Sequence, residues 1–562
     1  MGSRDTTAAR LALRNGTVVT VEPGRPVAQA IAIRGDRIQA VGSDREVTAC
    51  LGPRTRVLDL QGALALPGFI DCHGHLPSLG QARMHMDLRG ARDWAAIVRQ
   101  VAAAARQAPP GTWLPGRGWH QDRWAERPAP SVQGLPLHHR LSEAAPDHPV
   151  LLRHACGHAV LANARGMEQA GVDRRTADPE GGTIVRDAQG EPTGAFLETA
   201  ADLVEAALRE HLEGRSQQQK EADLRRQVDL ATAQCLANGI TTFHDAGTSL
   251  ETLAVYRKLA DEGKLGIRVY AMVSDSDDRI AEALPECRLV GYAGQRLTAR
   301  AIKRLADGAL GSRTAWMLAP YADRPGRRGH RVASDEALSA SARFAMDNGL
   351  QLCVHAIGDG ANREVLDLLE RVFGAHPASR DLRWRIEHAQ HLHPRDVPRF
   401  ADLGLIASVQ PSHCITDGAY IPDALGAERA AQAYPWRSLL EAGAAVISGS
   451  DAPVEEPDPV AGFHAAVTRR LADGSAFHPR QRMTRHQALR AYTRDAAWAA
   501  FEDRDKGSLA PGKLADLVVL DRDILTVPED EIRAARVLYT ILGGRIAYTA
   551  GEDCGAVAGV RG

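Results

Sequence analysis

The chain has 562 residues, with 68 Lys and Arg against 70 Asp and Glu, a formal charge of −2. Hydrophobic residues make up 44% and charged residues 25%, which excludes a disordered or fibrous chain and is ordinary for a well-cored protein. A balance this near neutrality gives no electrostatic reason to expect a nucleic-acid or anionic-membrane partner. No apolar stretch approaches the roughly 20 residues of a membrane helix, and the start lacks the roughly 7–15-residue apolar core of a secretory signal. The 8 cysteines are dispersed without a CxxC pair and read as reduced thiols. The expectation is a cytoplasmic protein with no nucleic-acid or membrane partner.

In chain order, the first stretch is β-like. Leu11–Val21, Ala28–Gly35, Arg37–Val41 and Val57–Leu60 are short Val, Ile and Leu runs separated by turn residues. The middle alternates strand and helix patterns, the signature of a parallel barrel or doubly wound sheet. The predicted strands are Gly68–Cys72, Thr241–His244, Ile267–Met272, Ala299–Leu305, Leu350–His355, Arg383–His388, Leu405–Gln410 and Ala444–Ser448. Eight is the number that closes a (β/α)₈ barrel, which needs about 250 residues. Residues 69–504 exceed that by well over a hundred, so an insertion is expected over about 78–234, within which Arg215–Gln234 reads as a polar helix. At the end of the chain, Leu517–Leu520, Val537–Leu542 and Arg545–Tyr548 read as strands, with Gly543-Gly544 as a hairpin turn. The expected fold is therefore α/β: a TIM-type barrel over 69–504 with a large insertion after its first strand, plus a small β-sandwich from 1–68 and 505–562.

His73-Gly74-His75 closes the segment LPGFIDCHGH. Residues i and i+2 of a strand point to the same side, so both imidazoles can reach one metal ion. A lone HxH is weak evidence, but other ligand-type residues also fall on or at the ends of predicted strands. Lys303 lies on the fourth, His355 ends the fifth, His388 ends the sixth and Asp451 follows the eighth. Strand ends converge at the C-terminal mouth of such a barrel, where its active sites lie. Four histidines, a lysine and an aspartate meeting there would be a metal site.

These residues sit in motifs that resemble the amidohydrolase superfamily of metal-dependent hydrolases. The branch is the YtcJ-like one, which includes N-substituted formamide deformylase. LPGFIDCHGH, ADGALGSR, VHAIGDGA, IEHAQ, VQPSH, GSDAPV and the ending GSLAPGKLADLVVLD carry the resemblance across nearly the whole chain. It implies that His73 and His75 bind one ion with Asp451 nearby, and that His355 and His388 bind a second. Lys303 matches a position that can be carboxylated to a carbamate bridging the two ions; a plain Lys303 in a salt bridge is the alternative, and would leave a single ion. The ions would be divalent, zinc first. The implied reaction is hydrolysis of a non-peptide C–N bond (amide, formamide or carbamate-like) of a small molecule by metal-activated hydroxide. Asp451 would pass the proton to the leaving nitrogen. A homodimer is compatible with the resemblance.

On the substrate side, WLPGRGWHQDRW, HACGHAVLAN and GEPTGAFLE resemble branch motifs that shape a pocket. Trp119, His120 and His158 are candidates there, as are Arg313 for a carboxylate or carbonyl and Gln410 with His413 in VQPSH. His120 and Cys156 stand where the branch often has aspartates, so no family substrate carries over. His244-Asp245 could also face the mouth, but stays outside the six ligand positions. Ester or lactone hydrolysis stays open on the same site. A deaminase is disfavoured, because Gly358 stands three residues after His355 where that pattern has a glutamate. A non-catalytic binding protein on the same fold is the rival from another class.

Overall fold

A computed structural model of the chain describes residues 8–155, 158–375 and 381–551. It divides into two compact units, Met1–Leu79 with Ala231–Gly562, and Gly80–Leu230. Among the described residues no helix is long and apolar enough to cross a membrane.

The larger unit is built on eight parallel strands, β1 (Phe69–Gly74), β2 (Ile240–Thr248), β3 (Arg268–Val273), β4 (Leu297–Leu305), β5 (Gln351–Ala356), β6 (Arg385–His388), β7 (Ile406–Val409) and β8 (Ala445–Ser448). Each pairs with the next in chain order. A parallel bridge from Gly74 to Ala452 brings the last strand back to the first, so the sheet is a nearly closed barrel of the TIM type. All eight predicted strands are present, with their ends shifted by a few residues. Burial explains why they were readable: β3 (RVYAMV) and β7 (IASV) are buried at every position, and parallel strands covered on both faces become continuous apolar runs. The helices that follow β2, β3 and β4 begin at Ser249, Ser276 and Ser334, whose hydroxyls accept backbone N–H groups of the first turn.

Among the other strands of this unit, Leu11–Arg14, Ala30–Arg34, Arg37–Gly42 and Arg56–Asp59 form a four-stranded sheet. The predicted single strand Leu11–Val21 is instead two, because Asn15 turns with φ 58° ahead of Gly16. A six-stranded sheet takes strands from both ends of the chain, and Leu517–Leu520 pairs antiparallel with Leu64–Pro67. Gly543 and Gly544 have φ of 56° and 70°, the two positive values that a type I′ hairpin turn requires. Leu13, Ile31 and Ile33 of the first sheet share one apolar cluster with Leu517, Val519 and Ile541 of the second. Arg268 at the base of β3 ties this region to the barrel. Its Nε and Nη2 donate to the two Asp516 oxygens at 2.6 and 2.9 Å, with both side chains buried.

The smaller unit has its own six-stranded mixed sheet, in the order Gly182–Arg186, Pro192–Glu198, Ala159–Ala162, Val150–His154, Leu114–Trp119, Met86–Asp87. Leu114–Trp119 (LPGRGW) carries a poor strand signal, since one proline and two glycines would ordinarily break one. Here the bare backbone of Gly116 admits Leu152 and Leu88, with an added Cβ falling 2.9 Å from Leu152 Cδ2.

Candidate metal centre

The end of β1 places His73 and His75 on one side, and the peptide after β8 brings Asp451 to them. Asp451 and His388 both hold positive φ, 60° and 76°, which non-glycine residues seldom adopt and which often marks a functional site. His75 Nε2 lies 3.2 Å and His73 Nε2 3.6 Å from Asp451 Oδ1. His413, in the helix Pro411–Asp417 that follows β7, approaches the other carboxylate oxygen, with its Nε2 3.8 Å from Asp451 Oδ2. The rings of His73 and His388 are 4.7 Å apart, and those of His355 and His388 4.4 Å.

Two of the strand-end rings are oriented by a partner. His73 Nδ1 donates to Glu387 Oε2 at 2.5 Å, and His388 Nδ1 donates to Gln410 Oε1 at 2.7 Å. These bonds fix the tautomers so that both Nε2 lone pairs face the cluster. His73 Nε2, His413 Nε2 and Asp451 Oδ1 are buried without hydrogen-bond partners. Buried polar atoms are nearly always paired, so convergent unpaired donors fit a cation. Among the described residues geometry gives two such groups, His73 with His75 and Asp451, and His388 with His413 and Asp451.

Electrostatics agree with that fit. Burial lowers His73 and His388 below the ordinary imidazole range, so both rings are neutral, the form that can ligate. Burial would raise Asp451, but His75, 3.2 Å away, and the neighbouring His73, His388 and His413 hold it well below the usual carboxylate range. Glu387 is brought down to about 2 against its burial, first by His73, then by Arg385 and Lys303. Lys303 is buried on β4, and desolvation lowers it despite the opposing pull of Glu387 and Asp451. A lysine pushed toward its neutral amine is the form that can react with carbon dioxide.

The structure gives several sequence-predicted residues other surroundings. His355 Nε2 donates to the Gly308 carbonyl at 3.1 Å, with its ring 4.4 Å from that of His388. Gln410 is 1% exposed and serves His388 from behind, with Nε2 donating to Ser408 O. Arg313 is engaged through Nε and Nη2 with Asp323 and through Nη1 with the Leu310 carbonyl. His244 accepts from Arg385 Nη1 at 3.1 Å, and Asp245 accepts from Leu76 N, Thr248 Oγ1 and Tyr256 OH, so Asp245 is spent on structure. In the smaller unit, Trp119 is buried in that unit's core with its indole N–H donating to Leu152 O. His120 lies against His154 at 4.6 Å between ring centroids, and the exposed His158 pairs with Glu198 at 3.0 Å. Cys156 lies outside the described residues. Glu387 escaped the sequence reading although it adjoins His388 in IEHAQ. The signal for it was an acid two residues after an arginine on a strand otherwise fully buried.

Together, fold and site define a parallel barrel with a histidine and carboxylate cluster at the C-terminal ends of its strands. Residues 56–548 match the amidohydrolase family, and the chain belongs to it. The chain is similar to Protein LONG AFTER FAR-RED 3 of Arabidopsis thaliana, 35% identical over 96% of this chain and 92% of that one. It is also 31% identical to the N-substituted formamide deformylase of Arthrobacter pascens, over 96% of this chain and 98% of that one. Among solved structures, a metal-dependent hydrolase of Pyrococcus furiosus superposes with a TM-score of 0.71 at 27% identity, over 92% of this chain and 100% of that one.

Proposed function

We propose that this protein is a metal-dependent amidohydrolase that cleaves a non-peptide C–N bond of a small molecule: an amide, formamide or carbamate-like group. The observation that carries the reading is the convergence of unpaired buried donor atoms, His73 Nε2, His413 Nε2 and Asp451 Oδ1, at the strand ends of this barrel. The similarity to a formamide deformylase along nearly the whole chain supports the bond type. Neutral imidazoles with a carboxylate are the donor set that suits zinc. Bound there, such an ion would acidify water and polarise a carbonyl oxygen.

The chain's own residues supply the rest. His73 and His75 would hold one ion, with Glu387 fixing the His73 ring. Lys303, lowered by burial, would be carboxylated and lend its carbamate oxygens between two ions. Asp451, ionised and at the cluster, would take a proton from the attacking water and deliver it to the leaving nitrogen, releasing acid and amine. Ester substrates present the same carbonyl and belong in the same screen.

The test is metal content per chain, then release of amine or acid from panels of formamides, amides, carbamates and esters. About two ions per chain and turnover of a C–N substrate are expected. A protein that binds no zinc, manganese or cobalt, and stays silent across the panel, would sink the reading.

A further inference from the structure

No side chain orients the His355 ring; a backbone carbonyl does. Its Nε2 donates to Gly308 O, and among the described residues its Nδ1 makes no hydrogen bond. A neutral imidazole carries one N–H, so donation from Nε2 leaves the lone pair on Nδ1. The residue before that glycine, Asp307, is fully buried just beyond β4. Its Oδ1 accepts Ile357 N–H at 3.0 Å, and its Oδ2 accepts Gly358 N–H at 2.9 Å and Trp316 N–H at 2.8 Å. One carboxylate thus grips the loop after β4 and the loop after β5, which starts next to His355. Bare backbone makes the grip possible, since a Cβ on Gly358 would fall 2.0 Å from Trp316 O. Among the described residues no lysine or arginine pairs with Asp307, and His355 Nε2 stands 3.6 Å from its Oδ1. A buried carboxylate without a cation is costly, yet asparagine could not replace it, because an amide nitrogen accepts no hydrogen bond.

We propose that Asp307 is a positioning residue for His355. By gripping both loops it keeps the Gly308 carbonyl on Nε2, so that the ring presents its Nδ1 lone pair to a metal ion. The inference rests on the metal-dependent reading above. The competing role is a plain staple between loops, with the ring held by other contacts. Asp359 supplies the comparison: its Oδ1 accepts Leu318 N–H at 2.8 Å and ties the same two stretches without a bond to His355.

The full chain, isotope-labelled at its histidine nitrogens and stripped with chelator, reports the ring by long-range proton–nitrogen correlation at neutral pH. His355 is assigned by the signal lost in His355→Gln. Wild type should show a protonated Nε2 and a bare Nδ1. Asp307→Ala and Asp307→Asn should shift the ring toward the other tautomer, whereas Asp359→Ala should not. After reloading with Zn²⁺, both Asp307 variants should bind one ion about 10–100-fold more weakly in a chelator competition, the loss expected of an orienting group. Asp359→Ala should bind as wild type does. A wild-type His355 protonated on Nδ1, in a protein that binds its ions, would overturn the assignment alone, even if every variant folded poorly. So would equal losses in Asp359→Ala and Asp307→Ala, or unchanged tautomer and constants in the Asp307 variants. A wild type that binds no ion would overturn the metal-dependent reading together with this one.

Discussion

Glu387 offers the sharpest test of how the cluster is organised. Replacing it with alanine removes the carboxylate that accepts the His73 Nδ1 proton at 2.5 Å in a fully buried pair. A hydrogen bond to a charged group contributes about 1.5–3 kcal/mol. A lost orienting partner costs about 10–100-fold in metal affinity, or about 1.4–2.7 kcal/mol. The two estimates coincide, as they should if the bond acts by holding the ring. Glu387→Ala should therefore weaken one ion by about 10–100-fold in a chelator competition, and lower the unfolding midpoint of the metal-stripped protein, because a buried N–H is left unpaired. Glu387→Gln keeps an acceptor but removes the charge facing Arg385 and Lys303, so its loss should be intermediate. Affinity within twofold of wild type in Glu387→Ala would refute the orienting role.

Three further outcomes are expected. Asp451→Asn should keep the fold by circular dichroism and lower turnover by about 10²–10⁴-fold; near-normal turnover would end its assignment as the proton carrier. Arg268→Met strands the buried Asp516 carboxylate and should cost about 3–5 kcal/mol in urea or thermal unfolding, whereas an unchanged midpoint would mean the pair carries no net stability. His391 is fully buried, neither ring nitrogen has a partner, and burial brings it down to about 3. Its folded value lies below the unfolded one near 6.5, so its neutral form is favoured above that pH. Stability should then fall by about 1.4 kcal/mol for each pH unit below 6.5 until about pH 3. Unfolding midpoints of His391→Phe at pH 7.5 and 5.5 should lack that share of the acid sensitivity; an identical pH dependence would refute it.

The barrel was legible because its strands are buried on both faces, which forces apolar runs such as RVYAMV, and because five of its six predicted ligands close strands or lie just beyond them. Glu387 was harder to see for a geometric reason. Alternation along β6 points Arg385 and Glu387 the same way and would turn His388 away, yet His388 holds a positive φ and its ring lies 4.7 Å from that of His73. Nothing in the letters IEH announces that twist. His413 lies beyond the strand on a helix begun by Pro411, so strand-end logic reached Gln410 and placed both among substrate-wall candidates. In the smaller unit, Trp119 reads from sequence as an aromatic wall, whereas local packing buries it with Trp94 and Trp124.

The first and last staves of the barrel meet by unusual means. Among the described residues β1 and β8 are joined by the Gly74–Ala452 bridge and not by a strand ladder. Asp451 N–H donates to His73 O at 2.6 Å, His75 N–H to Ala452 O at 2.7 Å, and Asp71 receives both the N–H and the hydroxyl of Ser450. Gly449 makes the approach possible, since a Cβ there would fall 2.4 Å from His73 N. The clasp of the ring and the His73, His75 and Asp451 donors are thus the same few peptides, and a cation between them would rivet stretches of chain hundreds of residues apart. Closing the ring and assembling the donors become one event, so a change to the backbone of the clasp, such as a side chain at Gly449, would alter both at once.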